Sequence, residues 1–571
     1  MCRHTGRPWA IIALACLLSN AASAELVVYT AKVIRTMEPA LPVATAVAVQ
    51  DGEIVAVGTE ESLEPLITAR AGRVDRQFEG RVLLPGFIDP HVHPALPAVL
   101  TQFPFLAPDD WSLPTGEFPG ATTPESYRAR LTELARGHTD EAVPFITWGY
   151  HPLWHGEIWR DDLNAWFGDQ PVMLWHRSFH ELIGNDAAWK MLGVTEADAQ
   201  MEIGADWARG HFYENGLKAV VPKLGFLFSP ERFGGGMFNF LAMLHQAGVT
   251  TALDMGTGIF GNPVGEIAGV RAAASAYPVP VRLILTPLIV DFMVRGKTPQ
   301  EALAEIREWQ TRNDERVMVG NHFKLMIDGA IFSGLAQMGS PGYLDGHEGV
   351  WMVPEPVLRA YGEVFWRAGF QLHAHANGDA AVDRFLALIE GLQTDFPRPD
   401  HRSTVEHLAY STEQQSAQLA KLGAQASVNP YYHYILSEAY SGDWLGPDRA
   451  AQMTRLGSLE RNGVPLTLHS DAPMAPLSPL TLVWAASERE TISGAKGLET
   501  ERLSRASALA AVTAGAARVI GRENEIGSIR AGKRADFVVL GADPMTVPGP
   551  ELRNIQVLAT VFSGTPYPTA P

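Results

Sequence analysis

Two histidines separated by one residue follow an apolar run early in the chain. His91 and His93 end the segment 83–93, LLPGFIDPHVH. On a strand, side chains two residues apart share one face, so both imidazoles can point from the carboxyl end of a strand toward one divalent cation. Alone the motif is weak, because two histidines at this spacing also occur by chance. It predicts a metal site only if further ligands meet it.

Later segments of similar composition supply such ligands. In 370–375, FQLHAH, His373 and His375 share the polar face of a predicted strand, and 405–407, VEH, and 467–471, TLHSD, repeat the pattern. Each histidine taken singly can be a hydrogen-bonded core residue. Their recurrence at successive predicted strand ends favours a metal site. Histidine and carboxylate ligands fit Zn²⁺, while Mn²⁺, Co²⁺, Ni²⁺ and Fe²⁺ stay open.

A lysine lies inside another apolar stretch, 322–328, HFKLMID. An uncompensated buried ammonium group is costly, so Lys324 needs a partner or a modification. One interpretation is carboxylation by CO₂, which makes an anionic carbamate able to bridge two cations. The other is an ion pair with Asp328, four residues along the same face. The residues themselves leave both open.

The elements that would position these side chains are repeated. Beyond about residue 80, apolar strands alternate with amphipathic helical stretches, which is typical of repeated βα units. Short strands and tight turns occupy 25–84 and 521–571, and we expect the two ends to form one β domain. A Trp- and Pro-rich stretch at about 100–230 is too long for an ordinary βα loop and predicts an inserted lid or subdomain.

Composition excludes several classes of protein. The chain has 571 residues, of which 46% are hydrophobic and 19% charged, so it is neither disordered nor fibrous. A net charge of −18 disfavours nucleic acid and anionic membrane surfaces as partners.

The first residues predict a cleavable signal peptide over 1–24. Arg3 and Arg7 precede a short apolar core, and 22–24, ASA, offers small residues for cleavage. The core is about half the roughly 20 residues that a membrane anchor needs. We therefore expect a periplasmic or secreted protein. Both cysteines, Cys2 and Cys16, lie in this segment, so a metal site in the mature chain must use His, Asp, Glu or Lys.

Glycine-rich segments indicate a rival function. The segment 256–261, GTGIFG, matches a dinucleotide fingerprint and follows an apolar strand, which would suit an oxidoreductase. However, the next strand, 281–285, is followed by Thr286-Pro287, with no acid at the distance expected for a ribose. We interpret 256–261 as a flexible loop, and Gly234-Gly235-Gly236 as a hinge.

Taken together, several segments resemble the amidohydrolase superfamily, in its YtcJ-like branch (amidohydrolase family 3). They are 85–93, Lys324 with Asp328-Gly329, His375 with Gly378-Asp379, Glu406-His407 and Ser470-Asp471. The resemblance implies an α/β fold in which a TIM-like (β/α)₈ barrel over 85–520 carries the insert at 100–230. A composite β-sandwich would be built from 25–84 and 521–571.

The resemblance also implies site roles and a binuclear zinc centre. His91 and His93 would bind the more buried metal, and Asp471 would ligate it and serve as general base. Lys324, carboxylated, would bridge to a second metal held by His375 and His407. The segment 179–185 resembles the family's substrate-facing stretch, so His180 is a candidate for holding a carbonyl or leaving group. We also expect substrate contacts from Asp328, His373 and Asn377.

This set predicts a hydrolase acting on the C–N bond of a small linear or cyclic amide, through a metal-activated hydroxide and the base Asp471. A ring deaminase of the same superfamily is one alternative, although the glutamate expected after His375 is absent from 376–379, ANGD. A non-catalytic metal-binding regulatory protein is another. The acidic surface and aromatic insert predict an uncharged or cationic substrate, and the resemblance favours a homodimer.

Overall fold

The computed structural model describes residues 25–442 and 444–569. The signal peptide expected over 1–24 lies outside these residues. Among the helices of the described part, none combines the length and apolarity that crossing a bilayer requires.

Strands from both ends of the chain share one eight-stranded sheet. Phe537–Leu540 pairs antiparallel with Val82–Pro85, which in turn lies parallel to the end of Val27–Arg35. Apolar side chains alternate inward and form a separate core cluster that includes Leu83 and Phe537. The strands are Val27–Arg35, Val43–Gln50, Glu53–Gly58, Arg73–Asp75, Val82–Pro85, Phe537–Leu540, Val557–Phe562 and Thr565–Pro568.

The central part of the chain forms two sheets of parallel strands. The first contains Phe87–Val92, Val249–Thr257, Arg282–Pro287 and Val317–Val319; the second contains His322–Met326, Gln371–Ala376, Thr404–His407, Gln425–Val428 and Leu466–Leu468. Neighbours in each sheet follow one another in chain order. Parallel bridges Leu288–Lys324 and Val92–Ala472 join the two sheets. The carboxyl ends of these strands therefore lie on one side, where the candidate ligands are.

Helices follow most of these strands and cover their outer faces. Glu355–Arg367, for example, buries Leu358 and Phe365 on the face toward the strands, and Pro299–Gln310 begins with a capping box between Thr298 and Glu301. The larger helices of this part are Pro230–Gln246, Pro263–Ala276, Pro299–Gln310, Glu355–Arg367, Asp379–Asp395, Glu413–Leu422, Tyr431–Tyr440 and Pro479–Glu488.

The stretch interpreted as an insertion has a sheet of its own. Its five strands are Phe145–Tyr150, Val172–His176, Glu181–Gly184, Ala205–Asp206 and His211–Tyr213. The helices Pro124–Arg136, Arg160–Phe167 and Asp186–Leu192 accompany them. Tyr127, Phe145 and Leu174 belong to a local core of this unit. The insert can therefore hold side chains over the carboxyl ends of the parallel strands on a rigid support.

The three glycines at 234–236 are not a hinge, which corrects the interpretation from the sequence. They lie inside the helix Pro230–Gln246, which packs against the helix Ala95–Leu100. A Cβ atom on Gly236 would lie 1.8 Å from the carbonyl oxygen of Ala98. The glycine is present because the two helix backbones approach closely.

We expect Gly236→Ala to lower the free energy of unfolding by about 1–3 kcal/mol, since the helices must move apart to admit the methyl group. Gly234→Ala is the matched control, because a Cβ there meets no atom within 4 Å; it should be neutral or stabilising by up to about 1 kcal/mol. Urea unfolding followed by circular dichroism measures both. Equal midpoints for the two variants would contradict the close packing.

Candidate metal centre

Four predicted ligands meet at the carboxyl ends of the parallel strands. Nε2 of His91 lies 3.4 Å from Nζ of Lys324 and 3.3 Å from Oδ1 of Asp471, and Nε2 of His93 lies 3.1 Å from the same oxygen. Around a tetrahedral zinc with bonds of about 2.0–2.1 Å, neighbouring ligand atoms are about 3.3 Å apart. The Nε2 atoms of His91 and His93 and Oδ1 of Asp471 already have the spacing of a metal coordination shell, so these three residues fit a divalent cation, and Lys324 lies beside them.

Distant parts of the chain bring these ligands together. His91 lies in the strand Phe87–Val92, Lys324 in His322–Met326, and Asp471 just beyond Leu466–Leu468. The backbone N–H of Asp471 donates to the carbonyl oxygen of His91 at 3.0 Å. Asp471 has φ 55°, a left-handed conformation that is uncommon outside glycine and is retained mainly at functional sites.

Asp89 and Gly256 fix the surroundings of the ligands. The buried Asp89 carboxylate accepts a hydrogen bond of 2.5 Å from the hydroxyl of Ser470, so it holds the loop that carries Asp471. Burial raises the pKa of Asp89 to about 7. A Cβ on Gly256 would lie 2.6 Å from Nδ1 of His93, so only glycine leaves room for this ring.

Glu406 orients two of the histidines from below the metal ligands. Its fully buried carboxylate accepts N–H bonds from Nδ1 of His91 and Nδ1 of His373, both 2.7 Å long. A carboxylate on Nδ1 fixes the tautomer in which Nε2 is free to bind a metal. The other nitrogen of His373 lies 3.0 Å from Nδ1 of His322. Both ring nitrogens of His373 therefore belong to a buried hydrogen-bond network. The substrate contact predicted for His373 is wrong, because no ring nitrogen is free to make it.

We expect Glu406→Gln to weaken metal binding by about 10–100-fold. An amide has one acceptor oxygen and one donor NH₂. It can therefore accept the N–H bond of only one of the two imidazoles, and its NH₂ group faces the N–H donor of the other. Competition with a chelator of known affinity measures the change. Glu413→Gln, at an exposed helix start, is the control. Unchanged affinity in Glu406→Gln would remove the orienting role.

The remaining predicted ligands lie beside the first group. The rings of His375 and His407 are 4.4 Å apart, and Nε2 of His407 has no hydrogen-bond partner among the described residues. Nε2 of His375 lies 2.9 Å from the side-chain amide nitrogen of Asn377. Donor atoms of His407, His91 and His469 also lie within 4.8 Å of one another. His469 belongs to the segment 467–471 that the sequence pattern singled out, but no ligand role was predicted for it.

The protonation states suit a metal. Burial holds the pKa of His91 and of His407 well below its usual range, which keeps both imidazoles neutral. Burial also lowers the pKa of Lys324, which is 1% exposed, to about 8, against the charges of Glu406 and Asp471. Burial alone would raise the pKa of Asp471, but the hydrogen bond and charge of His93 outweigh it. Neutral imidazole and ionised carboxylate are the forms that bind metals.

Asp328 has a different role from either of those predicted. Its carboxylate accepts backbone N–H bonds from Asn377 and Gly378, both at 2.9 Å, and from Gln337 at 3.0 Å. It therefore neither pairs with Lys324 nor faces a substrate; it holds the turn after the strand Gln371–Ala376. Asn377, by contrast, keeps a side-chain oxygen without a hydrogen-bond partner among the described residues, beside His375.

Two further side chains approach from other elements. The hydroxyl of Tyr432 donates to Oδ2 of Asp471 at 3.1 Å, and it comes from a helix, so no strand pattern could reveal it. His180, on the insert, is 28% exposed at its side chain, and its Nδ1 lies 3.0 Å from Oε2 of Glu214. The charge of Asp471 acts on His180, and that of His180 acts on His375. The insert thus contributes a residue within electrostatic range of the ligand group.

Backbone N–H groups of the glycine-rich loop 256–261 already donate hydrogen bonds to protein acceptors. The N–H of Gly258 donates to the carboxylate of Glu266 at 3.0 Å, and those of Ile259 and Gly261 donate to carbonyl oxygens within the loop. A phosphate cradle needs such N–H groups to be free. This geometry agrees with a loop and not with a dinucleotide site.

Comparisons with known proteins identify the family. The amidohydrolase family model matches residues 78–567. N-substituted formamide deformylase of Arthrobacter pascens is 26% identical over 565 residues, covering 95% of this chain and 97% of the relative. Amidohydrolase YtcJ of Bacillus subtilis (strain 168) is 23% identical over 541 residues, covering 91% of this chain and 95% of the relative.

A solved structure has the same fold. The crystal structure of an uncharacterised metal-dependent hydrolase from Pyrococcus horikoshii OT3 aligns with a TM-score of 0.70 at 20% identity, covering 92% of this chain and all of that chain. The family match over most of the sequence, and the ligand group at the strand ends, show that the protein belongs to the amidohydrolase family, in the branch that includes YtcJ, and is a metal-dependent hydrolase.

Proposed function

We propose that the protein hydrolyses the C–N bond of a small amide at a binuclear zinc centre. The observation that carries this proposal is the spacing of 3.1–3.3 Å between Oδ1 of Asp471 and the Nε2 atoms of His91 and His93, with Nζ of Lys324 3.4 Å from Nε2 of His91. Lys324, carboxylated, would bridge to a second cation held by His375 and His407. A lysine with a pKa of about 8 supports this step, because its neutral amine is the form that reacts with CO₂.

Several side chains of the protein would have separate roles in this reaction. A divalent cation held by these residues would supply Lewis acidity, which acidifies water and polarises a carbonyl group. Tyr432 holds Oδ2 of Asp471, which leaves Oδ1 directed toward His91 and His93. Asp471 takes a proton from the attacking water as the new C–O bond forms. Glu406 and Asp89 keep His91 and the Asp471 loop in place.

N-substituted formamides are the first substrates to test, because a relative of nearly the same length is named for acting on them. The zinc-loaded protein should release amine from such formamides or from N-acyl amines, and a chelator should abolish the release. Ammonia from an amino-substituted ring in place of amine would favour the deaminase alternative. Stoichiometric metal with no turnover on either substrate class would favour the non-catalytic alternative.

We also propose a domain organisation and a location for the protein. The two bridges between the parallel sheets support a closed (β/α)₈ barrel over 85–520, and the shared terminal sheet supports a composite β-sandwich of 25–84 and 521–571. The pattern at 1–24 supports a cleaved signal peptide and a periplasmic or secreted protein. A small-molecule substrate, no nucleic-acid or membrane partner, and a homodimer complete the proposal. Light scattering of the mature protein tests the dimer.

A further inference from the structure

The insert carries a histidine–carboxylate pair that the proposed chemistry has not yet used. Nδ1 of His180 donates to Oε2 of Glu214 at 3.0 Å, and the side chain of Glu214 is 9% exposed. The two residues flank an antiparallel pair of strands, Glu181–Gly184 and His211–Tyr213. The backbone N–H of Glu214 also donates to the carbonyl oxygen of His180 at 2.9 Å. Backbone and side chain therefore fix the pair together.

The backbone around this pair is strained. Glu214 has φ 46° and Phe179, which precedes His180, has φ 70°. A non-glycine residue in the left-handed region costs of order 1 kcal/mol or more, and such strain concentrates at functional sites. The two strained residues lie on both sides of the His180–Glu214 hydrogen bond, one before the imidazole and one at the carboxylate.

Among the charged groups around His180, Glu214 is the carboxylate bonded to it. Glu181, the next residue, has both oxygens engaged, by the hydroxyl of Ser333 at 2.6 Å and by Nε2 of His211 at 2.8 Å. Asp471 and Glu181 act on His180 through charge, and His180 in turn acts on His176 and His375. Burial alone would lower the pKa of His180, but the charge and hydrogen bond of Glu214 raise it above its usual value.

We propose that Glu214 is a positioning residue that keeps the proton on Nδ1 of His180, so that Nε2 of His180 delivers a proton to the leaving nitrogen of the substrate. The inference rests on the proposed amide hydrolysis. As the C–N bond breaks, its electron pair stays on nitrogen and the proton of Nε2 forms the new N–H bond. Asp471 then releases the proton that it took from water to the solvent, and the solvent restores the imidazolium of His180, whose side chain is 28% exposed. Asp471 would serve as base and His180 as acid.

The first test does not depend on turnover. Histidine ring NMR titration of the metal-free protein, with the His180 signal assigned by its loss in His180→Gln, should give a lower pKa in Glu214→Gln than in the wild type. Glu214→Asp, which keeps a carboxylate, should recover part of the difference. Glu141→Gln, at an exposed insert position, is the matched control and should change nothing. An unaltered His180 pKa in Glu214→Gln would overturn the proposal.

The second test uses the leaving group. A lost acid matters most when the leaving amine is a poor one, so Glu214→Gln should lower kcat by about 10²-fold on alkyl amides and much less on an activated anilide. The upper pH limit of activity should also move to lower pH, because the acid loses its proton earlier. Equal losses on both substrates would assign Glu214 a structural role only. If the wild type hydrolysed neither substrate, the proposed function would fail while the NMR result stood.

Discussion

Asp471→Asn is expected to lower kcat on the best amide substrate by about 10³-fold, the loss typical of a missing general acid–base group. The pKa of Asp471 is lowered by the hydrogen bond and charge of His93, which outweigh its burial, so the wild-type residue is ionised at neutral pH. Asparagine has nearly the same shape and keeps an oxygen to face the metal, but it cannot take a proton from water. Metal content should therefore stay near that of the wild type.

The control for this variant is a buried acid outside the site. Asp536 is buried and pairs with Arg282 at 3.0 Å, so Asp536→Asn should lower stability while the folded enzyme keeps its kcat. Steady-state kinetics and elemental analysis of the same preparations separate the two effects. Full activity in Asp471→Asn would remove Asp471 from the mechanism, and loss of metal would make it chiefly a ligand.

The sequence predicted the residues at strand ends well. His91, His93, Lys324 and Asp471 each belong to a separate apolar segment, and parallel strands bring their carboxyl ends to one side, so proximity followed from topology alone. The family match supports the recognition that these motifs allowed. A period of two gives the face of a side chain but not its depth. His373 and His375 share a face, yet they differ by about 6–7 Å along the strand.

That difference in depth explains what the sequence missed. His373 is the deeper of the two and bonds Glu406 at 2.7 Å, whereas His375 lies next to the ring of His407. Tyr432 and Glu214 had no usable signal, because one lies on a helix and the other is 34 residues from its partner His180. Such contacts depend on how loops and the insert dock onto the strands, which local periodicity does not encode.

Lys324→Ala is expected to reduce bound metal from about two per chain to one or none, and to abolish turnover. Lys324 is the only one of the proposed ligands that would belong to both cations, so its loss removes the bridge and leaves His375 and His407 as a two-histidine site. Elemental analysis of wild type and variant measures the change. Lys533→Ala is the matched control, because Lys533 is also buried but lies in the terminal part of the chain, beside Ser528.

Formation of the carbamate on Lys324 should depend on pH. The pKa of Lys324 is lowered by burial to about 8, so its reactive neutral form predominates above about pH 8 and becomes scarce as the pH falls below it. Metal-free protein exposed to ¹³C-bicarbonate and zinc should therefore gain a carbamate carbon signal and full metal content at pH 8.5, and far less of both at pH 6. Two metals retained in Lys324→Ala would exclude the bridge, because both cations would then be held without the carbamate. A carbamate signal without a gain in metal would separate the modification of Lys324 from its role as a bridge.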